Sequence, residues 1–136
     1  MLRSLIAVAT GFFVTLTLSL GADALLRGVW PSAFDATGVT TDAAALLIAL
    51  VYTLAFASLG AYVAARAAVH HRLRHALILG GIACAGSLFL AITAWSAAPS
   101  WYHICAVGLV LPGAWAGGWI GDHAAPSTPA PTGPSP

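Results

Sequence analysis

The side chains best suited to chemistry form one short cluster near the middle of the chain. Its members are Arg66, His70, His71, Arg72, Arg74 and His75. His71 and His75 are spaced to hold a metal ion together if this stretch is helical. The neighbouring arginines would repel a cation, however, and no Cys, Asp or Glu lies nearby to supply the third ligand that a zinc site needs. The cluster therefore favours a basic loop at an anionic lipid surface, where each arginine contributes about 1 kcal/mol of attraction.

Sequence patterns of known enzymes are missing from the chain. It contains no nucleotide-binding glycine loop, no GxSxG and no HExxH pattern. No Asp, Glu, Arg or His lies deep inside the long apolar segments, where such residues would mark a proton relay or a substrate site. We therefore predict no catalytic residue, no bound metal and no cofactor, and a protein that is not an enzyme.

The composition is that of a membrane protein. Of the 136 residues, 60% are hydrophobic and only 7% are charged, whereas soluble domains carry about 25% charged residues. A soluble fold of this composition would expose large apolar patches and aggregate. The net charge of +1 gives no basic footprint for nucleic acid. We expect the lipid bilayer, not nucleic acid, to be the main partner of this surface.

Four uncharged apolar segments are long enough to cross a bilayer, since a helix needs about 20 apolar residues to do so. They cover about residues 4–22, 43–65, 76–98 and 102–121. The two short connections, residues 66–75 and 98–102, favour antiparallel neighbours. The predicted fold is all-α: an integral membrane four-helix bundle built of two antiparallel helical hairpins. Residues 1–122 form the transmembrane domain, and the Pro-rich residues 123–136 form a disordered tail.

Two parts of the N-terminal region allow alternatives. Residues 1–24 resemble a signal peptide with a small-residue cleavage site, but the apolar stretch exceeds the usual length of about 7–15 residues, so a retained span is favoured. The connection over residues 23–42 is either a small cap over the mouth of the bundle or a segment whose apolar residues enter the membrane interface, and the second is favoured. In this connection Pro31 can open a short helical turn, and Asp42 can cap the next helix.

The arginines predict the threading. Arg3, Arg66, Arg72 and Arg74 fall on one side of a four-span protein, and Arg27 alone falls on the other. Positively charged loops stay in the cytoplasm. We therefore predict a multi-pass protein of a bacterial inner membrane, with both termini and the tail in the cytoplasm.

Small residues recur at helical spacing and predict the packing faces. They are Gly60 and Ala64 in the second segment, Gly81 and Ala85 in the third, and Gly113, Gly117 and Gly121 in the fourth. Small residues four apart let two membrane helices approach closely. We expect the second segment to pack on the fourth and the third on either. The runs 60–66 and 113–119 also resemble each other, so an internal duplication is a hypothesis.

A pattern of small, aromatic and basic residues runs through the last two-thirds of the chain. It joins a Gly-x-aromatic-x-Ala-x-Arg run, a His-Ala pair, a Pro-x-Trp-Tyr turn and a Pro-Gly-Ala stretch. The matching residues are Gly60, Tyr62, Ala64, Arg66, His75, Ala76, Pro99, Trp101, Tyr102, Pro112, Gly113 and Ala114. This pattern resembles that of small bacterial inner-membrane proteins with four predicted helices. The resemblance implies the same architecture and transfers no activity.

The leading functional prediction is a non-enzymatic accessory or structural membrane component that packs with a second copy or with another membrane protein. One alternative is a small transporter or channel for a neutral solute, which needs a wet polar path. The other is a lipid-handling protein that uses the His/Arg loop on the cytoplasmic side.

Overall fold

A computed structural model describes residues 2–68 and 70–124, with side chains from residue 5 onward. This part of the chain is all-helical, with four long helices. They are α1 (Leu2–Val29), α2 (Ala43–Ala67), α3 (Arg72–Thr93) and α4 (Ser100–His123). All four are long and apolar enough to cross a membrane. Most of the tail predicted to be disordered, residues 125–136, lies outside the described residues.

Helix α1 is longer than the sequence predicted. It ends at Val29, whereas the apolar run ends at Ala22, and it therefore includes Asp23 and Arg27. No proline interrupts the chain before Pro31, so the helix can continue past Asp23, the charged residue that follows the apolar run. Its 28 residues measure about 42 Å, longer than a hydrocarbon core of about 30 Å.

The ends of the other helices follow local signals. The Asp42 side chain accepts hydrogen bonds from the backbone N–H groups of Ala44 (2.9 Å) and Ala45 (3.0 Å), and so caps α2 as predicted. A short 3-10 turn, Pro31–Ala33, begins at the predicted proline. Helix α3 begins at Arg72 rather than at residue 76 and ends at Thr93. A second 3-10 turn, Trp95–Ala97, then occupies residues that were assigned to the third span.

The helices pack through small residues. Helix α4 makes its most extensive contact with α2 and also packs on α3, while α1 packs mainly on α2. A buried cluster of Ala61, Ala65, Ala76 and Ala114 lies where α2, α3 and α4 meet. Many large apolar side chains point outward instead; Leu5, Phe13 and Val51 are each more than 60% exposed. This arrangement suits a bundle whose surrounding solvent is lipid.

The contacts also fix the helix directions. Along the α2–α4 contact, Gly113 lies against Leu54 and Gly121 against Tyr62, so the two helices run parallel. Along the α3–α4 contact, Gly80 faces Ala114 and Gly118 faces Ala76, so these helices run antiparallel. The bundle has two ends, which we call the cap end and the turn end. The cap end holds the connections 30–42 and 94–99, and the turn end holds the turn between α2 and α3.

Candidate binding cavity

A cavity of about 490 Å³ lies at the cap end. All four helices and both cap-end connections contribute to its wall, which is mostly apolar. Its polar lining includes Asp23, Arg27, Tyr52, Ser87, Tyr102 and His103. Ligand pockets in proteins have volumes of about 300–1,000 Å³ and combine an apolar wall with a few convergent polar groups. The cavity therefore has the size and the lining of a small-molecule site.

Asp23 and Tyr52 form the polar centre of this cavity. The Tyr52 hydroxyl on α2 donates a hydrogen bond to the Asp23 carboxylate on α1. A carboxylate oxygen has room for more than one donor. The bond therefore fixes the direction of the carboxylate and leaves it able to accept a further hydrogen bond from a ligand.

Arg27 lies one helical turn nearer the cap end than Asp23. Its guanidinium carbon is 5.9 Å from the centre of the Phe34 ring, an arrangement typical of a cation–π contact. A side chain at Gly38, whose φ is +79°, would begin 3.8 Å from the same group. Arg27 thus stands beside the 30–42 connection, and the cavity wall carries two opposite charges on one face of α1.

His103 closes the opposite side of the cavity. Its ring stacks on Trp95 at 5.1 Å between centroids, and only 8% of the residue is exposed. Nε2 lies 3.3 Å from the Trp95 carbonyl oxygen; because a carbonyl only accepts, this nitrogen carries the proton. His103 is buried although it lies near the start of α4, because the 3-10 turn at Trp95–Ala97 folds over its ring.

The 30–42 connection forms the remaining wall. Phe34, Gly38, Val39 and Thr40 line the cavity, so this segment covers the mouth of the bundle, the alternative that the sequence disfavoured. Asp35 holds its turn together, with Oδ1 accepting bonds from the Thr37 hydroxyl (2.6 Å), the Thr37 N–H (2.8 Å) and the Val39 N–H (3.0 Å). The Thr37 hydroxyl is the largest cause that lowers the pKa of the Asp35 carboxyl below its ordinary value.

The basic cluster predicted from the sequence lies at the turn end, far along the helices from the cavity. Arg72, Arg74 and His75 belong to α3 rather than to a loop, and Arg66 lies in the last turn of α2. Exposed His70 and His71 precede α3, and His71 adopts a left-handed backbone with φ 51°.

Several of these side chains bond to nearby backbone. Arg66 Nη1 donates to the Ala124 carbonyl oxygen at 2.8 Å, which joins the C-terminal ends of α2 and α4. His75 Nδ1 lies 3.0 Å from the His71 carbonyl oxygen, the atom that accepts its proton. Within residues 2–68 and 70–124, no group of three or more His, Cys, Asp and Glu residues could hold a metal ion.

The predicted packing residues fall into two groups. Gly60, Ala64, Gly113, Gly117 and Gly121 are buried. A side chain at any of these glycines would overlap or crowd a neighbouring helix.

Gly81 and Ala85 are exposed instead, and a side chain at Gly81 would meet nothing within 4 Å. The glycine of α3 that makes the contact is Gly80, which faces Ala114. Gly118 and Gly11, absent from the predicted set, also lie at helix contacts.

A second hydroxyl, that of Thr15, also joins α1 to α2. Thr15 Oγ1 lies 3.1 Å from the Gly11 carbonyl oxygen of its own helix and 3.1 Å from the Phe56 carbonyl oxygen of α2. A Ser or Thr hydroxyl in a helix commonly bonds back to a carbonyl of its own helix. Thr10 and Ser58 do so, to Ile6 and Leu54, but Thr15 also joins α1 to α2.

A sequence signal for the cavity exists in α1. Thr15, Ser19, Asp23 and Arg27 recur every four residues and therefore share one helix face. The predicted first span ended at Ala22, so Thr15 and Ser19 were assigned to the span and Asp23 and Arg27 to the connection. Tyr52, Tyr102 and His103 come from other helices, and only the packing brings them to the stripe.

Comparison with known proteins adds no identity. No protein-family model, no curated protein and no solved structure matches this chain. The cavity is therefore the feature from which a function is inferred.

Proposed function

We propose that this chain is a non-enzymatic multi-pass membrane protein that binds a small ligand in the cap-end cavity. The observation that supports this function is the cavity itself, about 490 Å³ in volume. Asp23, Arg27 and Tyr102 all line this one space. Few, well-placed polar groups in an apolar wall are what fixes the orientation of a bound small molecule.

Binding is favoured over catalysis by the partners of the two groups that could act as bases. The Asp23 carboxylate is hydrogen-bonded to Tyr52, and the protonated nitrogen of His103 points at the Trp95 carbonyl. A general base needs a nucleophile or a substrate proton within hydrogen-bond reach. Among the described residues, no Ser, Thr or Cys side chain is hydrogen-bonded to either group, so the free capacity of the Asp23 carboxylate is directed at a ligand.

Binding is also favoured over a channel, the alternative expected from the sequence. The cavity is confined to the cap end. Toward the turn end, Ala61, Ala64, Ala65 and Ala76 are fully buried, and glycines of α4 lie directly against α2 and α3. A solute path through this closely packed half would need the helices to separate.

The threading proposed for the protein places the cavity outside the cytoplasm. We propose two helical hairpins in a bacterial inner membrane with both termini inside. The four arginines on the turn side, against the single Arg27 on the cap side, support this orientation. Single cysteines at Ser32 and His70, both exposed, in a variant with Cys84 and Cys105 replaced by Ala, test this threading. A membrane-impermeant maleimide should label position 32 in intact cells and position 70 only after lysis; the reverse pattern overturns it.

An accessory role remains part of the proposal, with a second copy or another membrane protein as the partner. Native mass spectrometry of the protein in mild detergent reports its oligomeric state and any bound small molecule together. A defined oligomer supports self-association. A monomer in detergent, combined with one cross-linked product in the membrane that contains a different protein, supports another protein as the partner.

The binding function is tested by filling the cavity. Ala49 lines it and Ala55, on the same helix, is exposed, so Ala49→Phe and Ala55→Phe form a matched pair. Native spectra should show a small molecule retained by the wild type and by Ala55→Phe and lost from Ala49→Phe. Equal retention by both variants, or none by the wild type when offered membrane lipid extract, contradicts the function.

A further inference from the structure

A second space adjoins the cavity. A groove of about 270 Å³ lies between α1 and α3, with Phe12, Leu16 and Ile82 on its sides and Ala57 of α2 at its floor. Helices α1 and α3 make less contact with each other than either makes with α2. This leaves the groove between them open. Phe12, Leu16 and Ile82 are each 39–49% exposed, so the groove opens sideways from the bundle.

The cavity and the groove adjoin each other along α3. Ser87 and Leu90 of α3 line both. On α1 the stripe described above makes the same connection, because Thr15 and Ser19 line the groove while Asp23 and Arg27 line the cavity. At 1.5 Å per residue the groove follows α3 from Leu79 to Leu90 for about 16 Å. Together, the two adjoining spaces offer a long apolar part and a short charged part.

We propose that the groove and the cavity together hold a single-chain amphiphile with a zwitterionic head, its hydrocarbon chain in the groove and its head in the cavity. This rests on the proposed function and names the class of ligand. The hydrocarbon chain fits the groove because the groove is an apolar slot in the part of the bundle that faces lipid. The zwitterionic head fits the cavity because Asp23 and Arg27 lie one turn apart and offer one anion and one cation.

The opposed charges exclude simpler heads on electrostatic grounds. A purely cationic head would pair with Asp23 but place a like charge near Arg27, and a purely anionic head would do the reverse. Ions brought out of water need a partner of opposite sign to offset the lost hydration. A zwitterion satisfies both residues at once, and the Tyr102 hydroxyl adds a neutral hydrogen-bond partner in the same wall.

In the test, four probes are added to the 136-residue protein in a neutral polyether detergent, and binding is measured by native mass spectrometry. Three of the probes carry one hydrocarbon chain of matched length: lysophosphatidylethanolamine, lysophosphatidylglycerol and an alkylammonium salt. The fourth, glycerophosphoethanolamine, has the zwitterionic head alone. The wild type should bind one lysophosphatidylethanolamine about tenfold more tightly than either singly charged probe, equivalent to about 1.4 kcal/mol. Equal affinity for the three heads overturns the choice of a zwitterion.

Substitutions at two glycines of α3 distinguish binding of the hydrocarbon chain from binding of the head. Gly86 lines the groove with free space around it, whereas Gly81 has the same free space but lines neither the groove nor the cavity. Gly86→Phe should weaken lysophosphatidylethanolamine binding about tenfold or more and leave the head-only probe unchanged, while Gly81→Phe should bind both as the wild type does. Ser19→Phe fills the same groove from α1 and serves if Gly86→Phe does not fold.

The outcomes separate the two proposals. Unchanged binding in both groove variants overturns the chain position while the cavity function stands, provided that Ala49→Phe still loses the head. Failure of the wild type to hold any of the four probes overturns this inference; failure to retain any molecule from membrane lipid extract as well overturns the cavity function with it. Asp23→Asn should shift preference toward the anionic probe and Arg27→Gln toward the cationic one; the absence of both shifts contradicts the head assignment.

Discussion

The backbone carbonyl of Ser58 occupies the space that a side chain at Gly117 would need. A Cβ atom at Gly117 would overlap that carbonyl oxygen and lie 2.7 Å from its carbon and 2.9 Å from the Ser58 Cα. Backbone cannot move aside as a flexible side chain can. We predict that Gly117→Ala separates α2 from α4 and lowers the free energy of unfolding by about 1–3 kcal/mol, the usual cost of overpacking. Unfolding in mixed micelles with increasing SDS measures this change.

Gly108 supplies the control on the same helix. A side chain there would meet nothing within 4 Å, and alanine favours a helix over glycine by about 1 kcal/mol. Gly108→Ala should therefore leave stability unchanged or raise it. Equal destabilisation by the two substitutions would contradict the close α2–α4 contact.

The Thr15 hydroxyl is a second link between helices. Thr15→Val keeps the shape of the side chain but removes the bond to the Phe56 carbonyl oxygen. Hydrogen bonds between membrane helices average about 0.6 kcal/mol, so the same SDS titration should show a loss of this order. Thr10, whose exposed hydroxyl bonds only to Ile6 of its own helix, provides the control Thr10→Val, which should change stability by less. A larger loss in the control would mean that the link does not stabilise the bundle.

The number of helices follows from the sequence, but the contacts between them do not. Length and apolarity were enough to predict four membrane-length helices, and Asp42 was recognised as a cap from its residue type. Gly80 and Gly81 show where this reasoning ends. Both are glycines in one apolar run, yet neighbouring positions on a helix point about 100° apart. Only the position of α4 decides that Gly80 lies in a contact and Gly81 faces outward.

The cavity was missed for a related reason. Charged residues were taken as the boundaries of membrane segments, so Asp23 ended the first span in the prediction. A helix does not end at a charge when the backbone bonds can continue and a partner satisfies the carboxylate. Tyr52 is that partner, and it lies 29 positions away along the chain. No spacing rule links the two residues, so the site depended on tertiary packing.

The N-terminal cap of α2 can be tested separately from the packing. Asp42→Ala removes the acceptor for two backbone N–H groups, and losing such a cap costs about 1 kcal/mol. We expect a lower midpoint of thermal unfolding, measured by circular dichroism in detergent. The adjacent Thr41 is exposed, and Thr41→Ala is the control that should change the midpoint little. If the two variants unfold together, Asp42 does not act as a cap.

Asp35 gives the 30–42 connection a defined response to acid. Hydrogen bonds from Thr37 and Val39 to the ionised carboxyl lower its pKa in the folded protein. Since the folded pKa is lowered, the stabilisation is complete above the unfolded pKa and is lost as the pH falls through the folded one. The turn should therefore remain intact at neutral pH and loosen only under strongly acidic conditions. NMR titration of the Asp35 carboxyl carbon should give a pKa below the ordinary value, and Thr37→Val should raise it, because the hydroxyl is the largest cause of the shift. An unchanged pKa in Thr37→Val would show that the hydroxyl does not hold the turn, and with it the cavity wall beside Arg27.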